Sequence, residues 1–116
     1  MDGTEEEKAM PGSEPAVQPL LSESPRKVVC ARIEGRVQGV WYRGWTVEQA
    51  SRRGLSGWVR NRHDGSVEAV FAGPAAAVDD MLDACRQGPP AAVVRAIRVE
   101  AAGDPGDGPF VQRPGV

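Results

Sequence analysis

Two alternating runs joined by a turn dipeptide constrain this chain most. LSGWVRN, residues 55–61, leads into the tetrad RHDG and then into SVEAVFA, residues 66–72. Both runs alternate as half-buried strands do, and Asp64-Gly65 suits positive φ angles. The stretch therefore predicts a hairpin.

The flanking segments extend this pattern. In KVVCARIEG, residues 27–35, Val29, Ala31 and Ile33 alternate with Cys30, Arg32 and Glu34, which predicts a first strand. Tyr42, Trp45, Thr46, Gln49 and Ala50 fall at helical spacing, and Gly54 offers a stop, so a helix is predicted over residues 42–53. Gly73-Pro74 opens a second helix. There Val78, Met81, Leu82 and Cys85 form an apolar stripe, Asp79, Asp80 and Asp83 face water, and Gly88-Pro89-Pro90 ends it. AVVRAIRVE, residues 92–100, reads as a fourth strand whose apolar phase changes between Val94 and Ile97, the mark of a bulge. PFVQR can add a short edge strand.

Strand, helix, strand, strand, helix, strand is the order of an α+β, ferredoxin-like βαββαβ sandwich with both helices on one face of an antiparallel sheet. In that topology the first two strands are parallel with the third between them. Their C-terminal ends share one edge of the sheet, which brings the loop after Gly35 near Asn61.

A chain of 116 residues is expected to hold one domain, here residues 27–113. Residues 1–26 read as a disordered acidic, Pro-rich tail: Asp2, Glu5, Glu6, Glu7, Glu14 and Glu23 face Lys8 alone up to residue 25, and the one apolar cluster, Val17 with Leu20 and Leu21, is broken by Pro19. That cluster is too short for a signal peptide or a membrane span, so a cytoplasmic protein without a membrane partner is expected, and a weak basic excess with no paired aromatics on the sheet strands predicts no nucleic-acid partner. Residues 26–116 carry thirteen bases against ten acids, a mildly basic body able to host an anion. Cys30 and Cys85 lie in different elements with no CxxC and no histidine nearby, which predicts reduced thiols and neither a disulfide nor a metal site.

GRVQGVWYR, residues 35–43, is the candidate site. Gly35 and Gly39 permit positive φ and close approach of a ligand, successive N–H groups of such a loop can form an anion nest, and the loop enters the N-terminus of a helix. Arg43, in the first helical turn, can add a two-pronged contact to phosphate oxygens. Spacing alone leaves open the plainer account, a glycine-rich turn followed by a solvated arginine. The Walker-type pattern GxxxxGK(S/T) is absent.

These residues resemble the acylphosphatase family. GRVQGVWYR is similar to the motif GxVQGVx(F/M)R, and GWVRNRHDGSVEAVFAG fits a second motif, G(aromatic)(V/A/C)xNxxxGxVxxxxxG, from Gly57 through Asn61, Gly65 and Val67 to Gly73. The similarity covers about residues 27–113 and includes GPPAAVVRAI. Two departures stand out: Tyr42 where the family has Phe or Met, whose hydroxyl needs a partner, and the acidic tail. The resemblance implies hydrolysis of a carboxyl-phosphate anhydride to carboxylate and inorganic phosphate, by a monomer without metal or cofactor. It implies that Arg43 and the backbone N–H groups of Arg36, Val37, Gln38, Gly39 and Val40 bind the phosphoryl group, and that Asn61 holds the attacking water. Inorganic phosphate is then both product and competitive ligand.

Other residues carry less. His63 reads as an exposed turn residue, Cys85 as core, and Trp41, Trp45 and Trp58 as packing residues. Arg52, Arg53, Arg60 and Arg62 either widen a positive field or are simply solvated. Two functions compete: a stand-alone acylphosphatase, and a non-catalytic ferredoxin-like module that keeps the anion cradle without turnover.

Overall fold

The computed structural model describes residues 25–116. The elements are β1 (Arg26–Arg36), α1 (Tyr42–Arg52), β2 (Ser56–Asn61), β3 (Val67–Pro74), α2 (Ala75–Cys85), β4 (Val93–Ala101) and β5 (Val111–Gln112). They form one sheet in the order β4-β1-β3-β2-β5. Neighbours are antiparallel except β2 and β5, which pair parallel at Trp58 with Val111 and at Val59 with Gln112. β1 and β2 each run antiparallel to β3 and so parallel to one another. This is the ferredoxin-like βαββαβ arrangement with one added strand.

The expected tail over residues 1–26 lies outside the described residues except for its last two. Those two belong to the folded body: the Pro25 carbonyl accepts from the Ala75 N–H at 2.8 Å, and Arg26 opens β1 opposite Pro74. The Arg26 guanidinium also clamps both carboxylate oxygens of Asp104, at 2.7 and 2.9 Å.

The period of each strand decides which side is buried. Val29, Ala31 and Ile33 of β1, Val59 of β2 and Val67, Ala69 and Phe71 of β3 join Tyr42 and Ala50 of α1 and Val78, Met81, Leu82 and Cys85 of α2 in one core. Phe71 stacks on Phe110 at 5.4 Å between centroids. A fully buried side chain of this size contributes about 1.5–3 kcal/mol. The alternate residues Cys30, Arg32, Arg60 and Glu68 remain partly exposed.

The bulge expected between Val94 and Ile97 is present: Glu34 pairs with Ala96 but Gly35 with Val94, leaving Arg95 as the extra residue. The hairpin turn differs in detail from a tight two-residue loop. Only Gly65 takes a positive φ, 92°, while its N–H donates to the Arg62 carbonyl at 3.1 Å and the Arg62 N–H donates to the Ser66 carbonyl at 2.9 Å. The Asp64 carboxylate accepts from both the backbone and the hydroxyl of Ser66, which explains its lowered pKa.

Candidate active site

Residues 37–41 carry the chain from β1 into α1, and their side chains pin the loop from opposite directions. Val37 is 1% exposed and sits in the core, and Val40 packs against it. Gln38 turns the other way: its Nε2 donates to the Arg62 carbonyl at 2.8 Å and to the Ser66 carbonyl at 2.9 Å, tying the loop to the hairpin turn. Gly39 adopts φ 74°, and nothing lies within 4 Å of where its Cβ would project. Among the described residues, no oxygen accepts from the N–H groups of Val37, Gln38, Gly39 or Val40. These donors are left for solvent or a bound acceptor.

Gly35 serves another purpose than the one expected. At φ 134° a Cβ there would overlap the Val93 carbonyl oxygen, so the glycine admits the backbone of β4 at the bulge and not a ligand.

The loop opens into a cavity of about 140 Å³ lined by Val37, Gly39, Trp41, Tyr42, Arg43, Gly44, Asn61 and Gln112. The topology explains the convergence: β1 and β2 end at the same edge, so the start of α1 faces the last residue of β2. Arg43 makes no ion pair or hydrogen bond among the described residues. Arg26, Arg53, Arg60, Arg62 and Arg98 all have carboxylate partners. The Oδ1 of Asn61 is buried with no hydrogen-bond partner among the described residues, an exception to the pairing of buried polar atoms that calls for an explanation. The backbone around Asn61 is held firmly from outside the sheet. Beyond β5, the Arg113 N–H donates to the Val59 carbonyl at 2.8 Å, the Val116 N–H donates to the Asn61 carbonyl at 3.0 Å, and the Val116 carbonyl accepts from the His63 N–H.

Of the residues singled out by sequence, Arg43, Asn61, Val37 and Gly39 line the cavity. Arg36 is the last residue of β1 with an exposed side chain, Gln38 acts as the tie, and Val40 packs on the core. Trp41 is not the packing residue expected: it is 59% exposed at the cavity. Trp58 lies on the open sheet face with the guanidinium groups of Arg60 and Arg113 over its ring, at 4.8 and 5.0 Å, and Trp45 packs against the core. Arg53, Arg60 and Arg62 add little free positive field. Arg53 pairs with Asp80, while Arg60 and Arg62 share Glu68. Burial acts to raise the Glu68 pKa, but the hydrogen bonds from those two arginines outweigh it and the net shift is downward.

The departure at Tyr42 resolves cleanly. Its ring is 1% exposed, and its hydroxyl donates to the Cys85 carbonyl at 2.6 Å, one of the last carbonyls of α2 that lack a helical partner. Burial first, then the neighbouring Cys85 thiol, hold the phenol protonated. Sequence reasoning missed Trp41, Gly44 and Gln112 as lining residues. Only the position of Trp41 and Gly44 on either side of Tyr42-Arg43 hinted at them.

The acylphosphatase family model matches residues 29–111. An acylphosphatase of Rhodospirillum rubrum is 59% identical over 88 residues, covering 76% of this chain and 97% of that protein. Among solved structures, the acylphosphatase from Bacillus subtilis superimposes with a TM-score of 0.71 at 34% identity, covering 74% of this chain and 97% of its own. One from Coxiella burnetii gives 0.74 at 28%, covering 79% and 97%. With the family model matched over residues 29–111 and a relative 59% identical along 97% of its length, this chain belongs to the acylphosphatase family.

Proposed function

We propose that the chain hydrolyses acyl phosphates to a carboxylate and inorganic phosphate at the cavity between the 37–41 loop and Asn61. One observation carries this reading: an arginine without a carboxylate partner among the described residues lines the same small cavity as a glycine loop and a buried amide oxygen that no described residue pairs. The Arg43 guanidinium and the loop N–H groups bind the phosphoryl oxygens and stabilise the charge that develops on them. The Asn61 Oδ1 accepts a hydrogen bond from water and aims the water oxygen at phosphorus. A P–O bond forms to that oxygen, the P–O bond to the acyl oxygen breaks, and the acyl oxygen leaves with the electron pair as a carboxylate while a water proton passes to phosphate or solvent. A carboxylate is a good leaving group, because its conjugate acid has a pKa near 4, so neither a general acid nor a strong base is required. Positioning and charge stabilisation suffice.

We further read the protein as a cytoplasmic monomer acting on a small molecule, with no nucleic-acid or membrane partner and no metal or cofactor. The two free cysteines support the cytoplasmic reading. Phosphate release from benzoyl phosphate above the buffer rate, competitively inhibited by inorganic phosphate and unaffected by exhaustive chelation, is the expected result. Binding of phosphate without any release would favour the non-catalytic module, and activity that disappears on chelation and returns with zinc or magnesium would overturn the metal-free mechanism.

A further inference from the structure

We propose that Trp41 is the platform for the acyl group, and that it makes this enzyme prefer acyl phosphates with a planar aromatic acyl group over small ones such as acetyl phosphate. The inference rests on the hydrolase reading above and adds the substrate class.

The cavity holds about 140 Å³. Sites that bury a whole drug-sized ligand have roughly 300–1,000 Å³. Only the phosphoryl end of a larger substrate fits inside, and the acyl end must lie across the mouth. Few side chains remain there to receive it. Val37 and Tyr42 are each 1% exposed and belong to the core, Gly39 and Gly44 have no side chains, and Arg43 and Asn61 serve the phosphoryl group and the water. Trp41 and Gln112 are left. Of these only Trp41 offers apolar area, and it is 59% exposed.

Its placement is not that of a loose surface side chain. Trp41 is the only described non-glycine residue with a positive φ, 67°, and its indole lies against Gly44, where a Cβ would overlap the ring. Left-handed backbone at a bulky residue persists only where its surroundings hold it there. The missing side chain at Gly44 lets the ring settle on the first turn of α1, one residue from Arg43. A fixed indole beside a polar cavity gives a flat apolar surface at the point where the acyl group emerges. An aromatic acyl group can stack on it, and an acetyl group is too small to cover it.

The test compares matched pairs. Trp41→Ala should lower the ratio of kcat/KM for benzoyl phosphate to that for acetyl phosphate by about 3- to 10-fold, the scale of one aromatic pair. Most of that change should appear in the KM for benzoyl phosphate. Trp41→Phe should restore most of the ratio. Trp41→Leu, which keeps apolar bulk without a plane, should not, and it serves as the second variant if the alanine variant folds poorly. Calorimetric binding of phenylphosphonate and methylphosphonate reads the same preference without turnover. If wild type prefers phenylphosphonate and Trp41→Ala loses that preference while no substrate is hydrolysed, the platform stands and the hydrolase reading falls. If the variants weaken both members of each pair equally, Trp41 only shapes the loop and the proposal is wrong.

Discussion

Gln38 joins the 37–41 loop to the hairpin turn that follows Asn61, so Gln38→Ala tests whether that tie positions the site. Two hydrogen bonds disappear, the Nε2 contacts to the Arg62 and Ser66 carbonyls at 2.8 and 2.9 Å. Neither carbonyl is orphaned. The Arg62 oxygen keeps the Gly65 N–H at 3.1 Å, and the Ser66 oxygen keeps the Arg62 N–H at 2.9 Å. The loss is then two net hydrogen bonds, about 1–3 kcal/mol, without a further penalty for buried unpaired acceptors. For a domain of this size that lowers Tm by roughly 4–20 °C. A loop released by a fraction of an ångström should also lose turnover, by roughly 10- to 100-fold, with weaker inhibition by phosphate. Gln38→Glu keeps the shape but sets a carboxylate against two carbonyl oxygens, so it should cost at least as much. Thermal unfolding and phosphate inhibition on the same preparations decide the matter. If both variants melt and bind phosphate as wild type does, the tie holds nothing in place and the account of the loop is wrong.

Arg43→Lys should reduce turnover by roughly 10²- to 10³-fold, because lysine keeps the charge but not the planar fork, with little change in Tm since Arg43 holds no ion pair among the described residues. Retention of most activity in steady-state kinetics would remove Arg43 from its role. Asn61→Ala should lower the rate by roughly 100-fold or more while phosphate still inhibits with nearly its original affinity; joint loss of both would mean that Asn61 binds the anion instead of the water. Stability should fall at both ends of the pH scale. Asp104, held down to about 2 by Arg26 and the Gly106 N–H, and Glu68, also lowered, have folded pKa values below their ordinary 3.8 and 4.5, so the stability they confer is present above those values and is lost as pH falls toward 2. Cys85 runs the other way: burial raises its thiol from 9.0 to about 12, and its contribution is lost as pH rises across that window. Denaturant titrations across pH, with Cys85→Ala as the reference for the alkaline limb, should show both slopes.

The elements were readable because each strand and helix keeps its own period over enough residues. Val29, Ala31 and Ile33 in β1 and Val78, Met81, Leu82 and Cys85 in α2 are buried as their spacing requires. The meeting of Arg43 and Asn61 was readable as well, since it follows from two parallel strands ending at one edge. Other features depend on neighbours remote in sequence. Gly35 is required by the backbone of Val93, and Gln38 finds two carbonyl oxygens, which have no signature in a sequence. Trp41 reads as core by residue type, and only its left-handed backbone and the gap at Gly44 turn it outward. Gln112 comes from a two-residue strand, and residues 113–116, Arg-Pro-Gly-Val, have no strand pattern although they continue along β2 past Asn61.

The strand order has a consequence for how the protein is made. β1 leaves the ribosome before both of its partners, β3 and β4, and the Arg32 register partner in β4 is Arg98, 66 residues later. β2 and β3 are adjacent in sequence and can pair as soon as their turn is made, but β1 must wait with Val29, Ala31 and Ile33 uncovered. Closing such distant pairs is slow compared with closing a hairpin. The loop that begins where β1 ends has no asparagine to face until β3 has been inserted between β1 and β2, so a nascent chain carries the loop and Arg43 well before the cavity beside them exists.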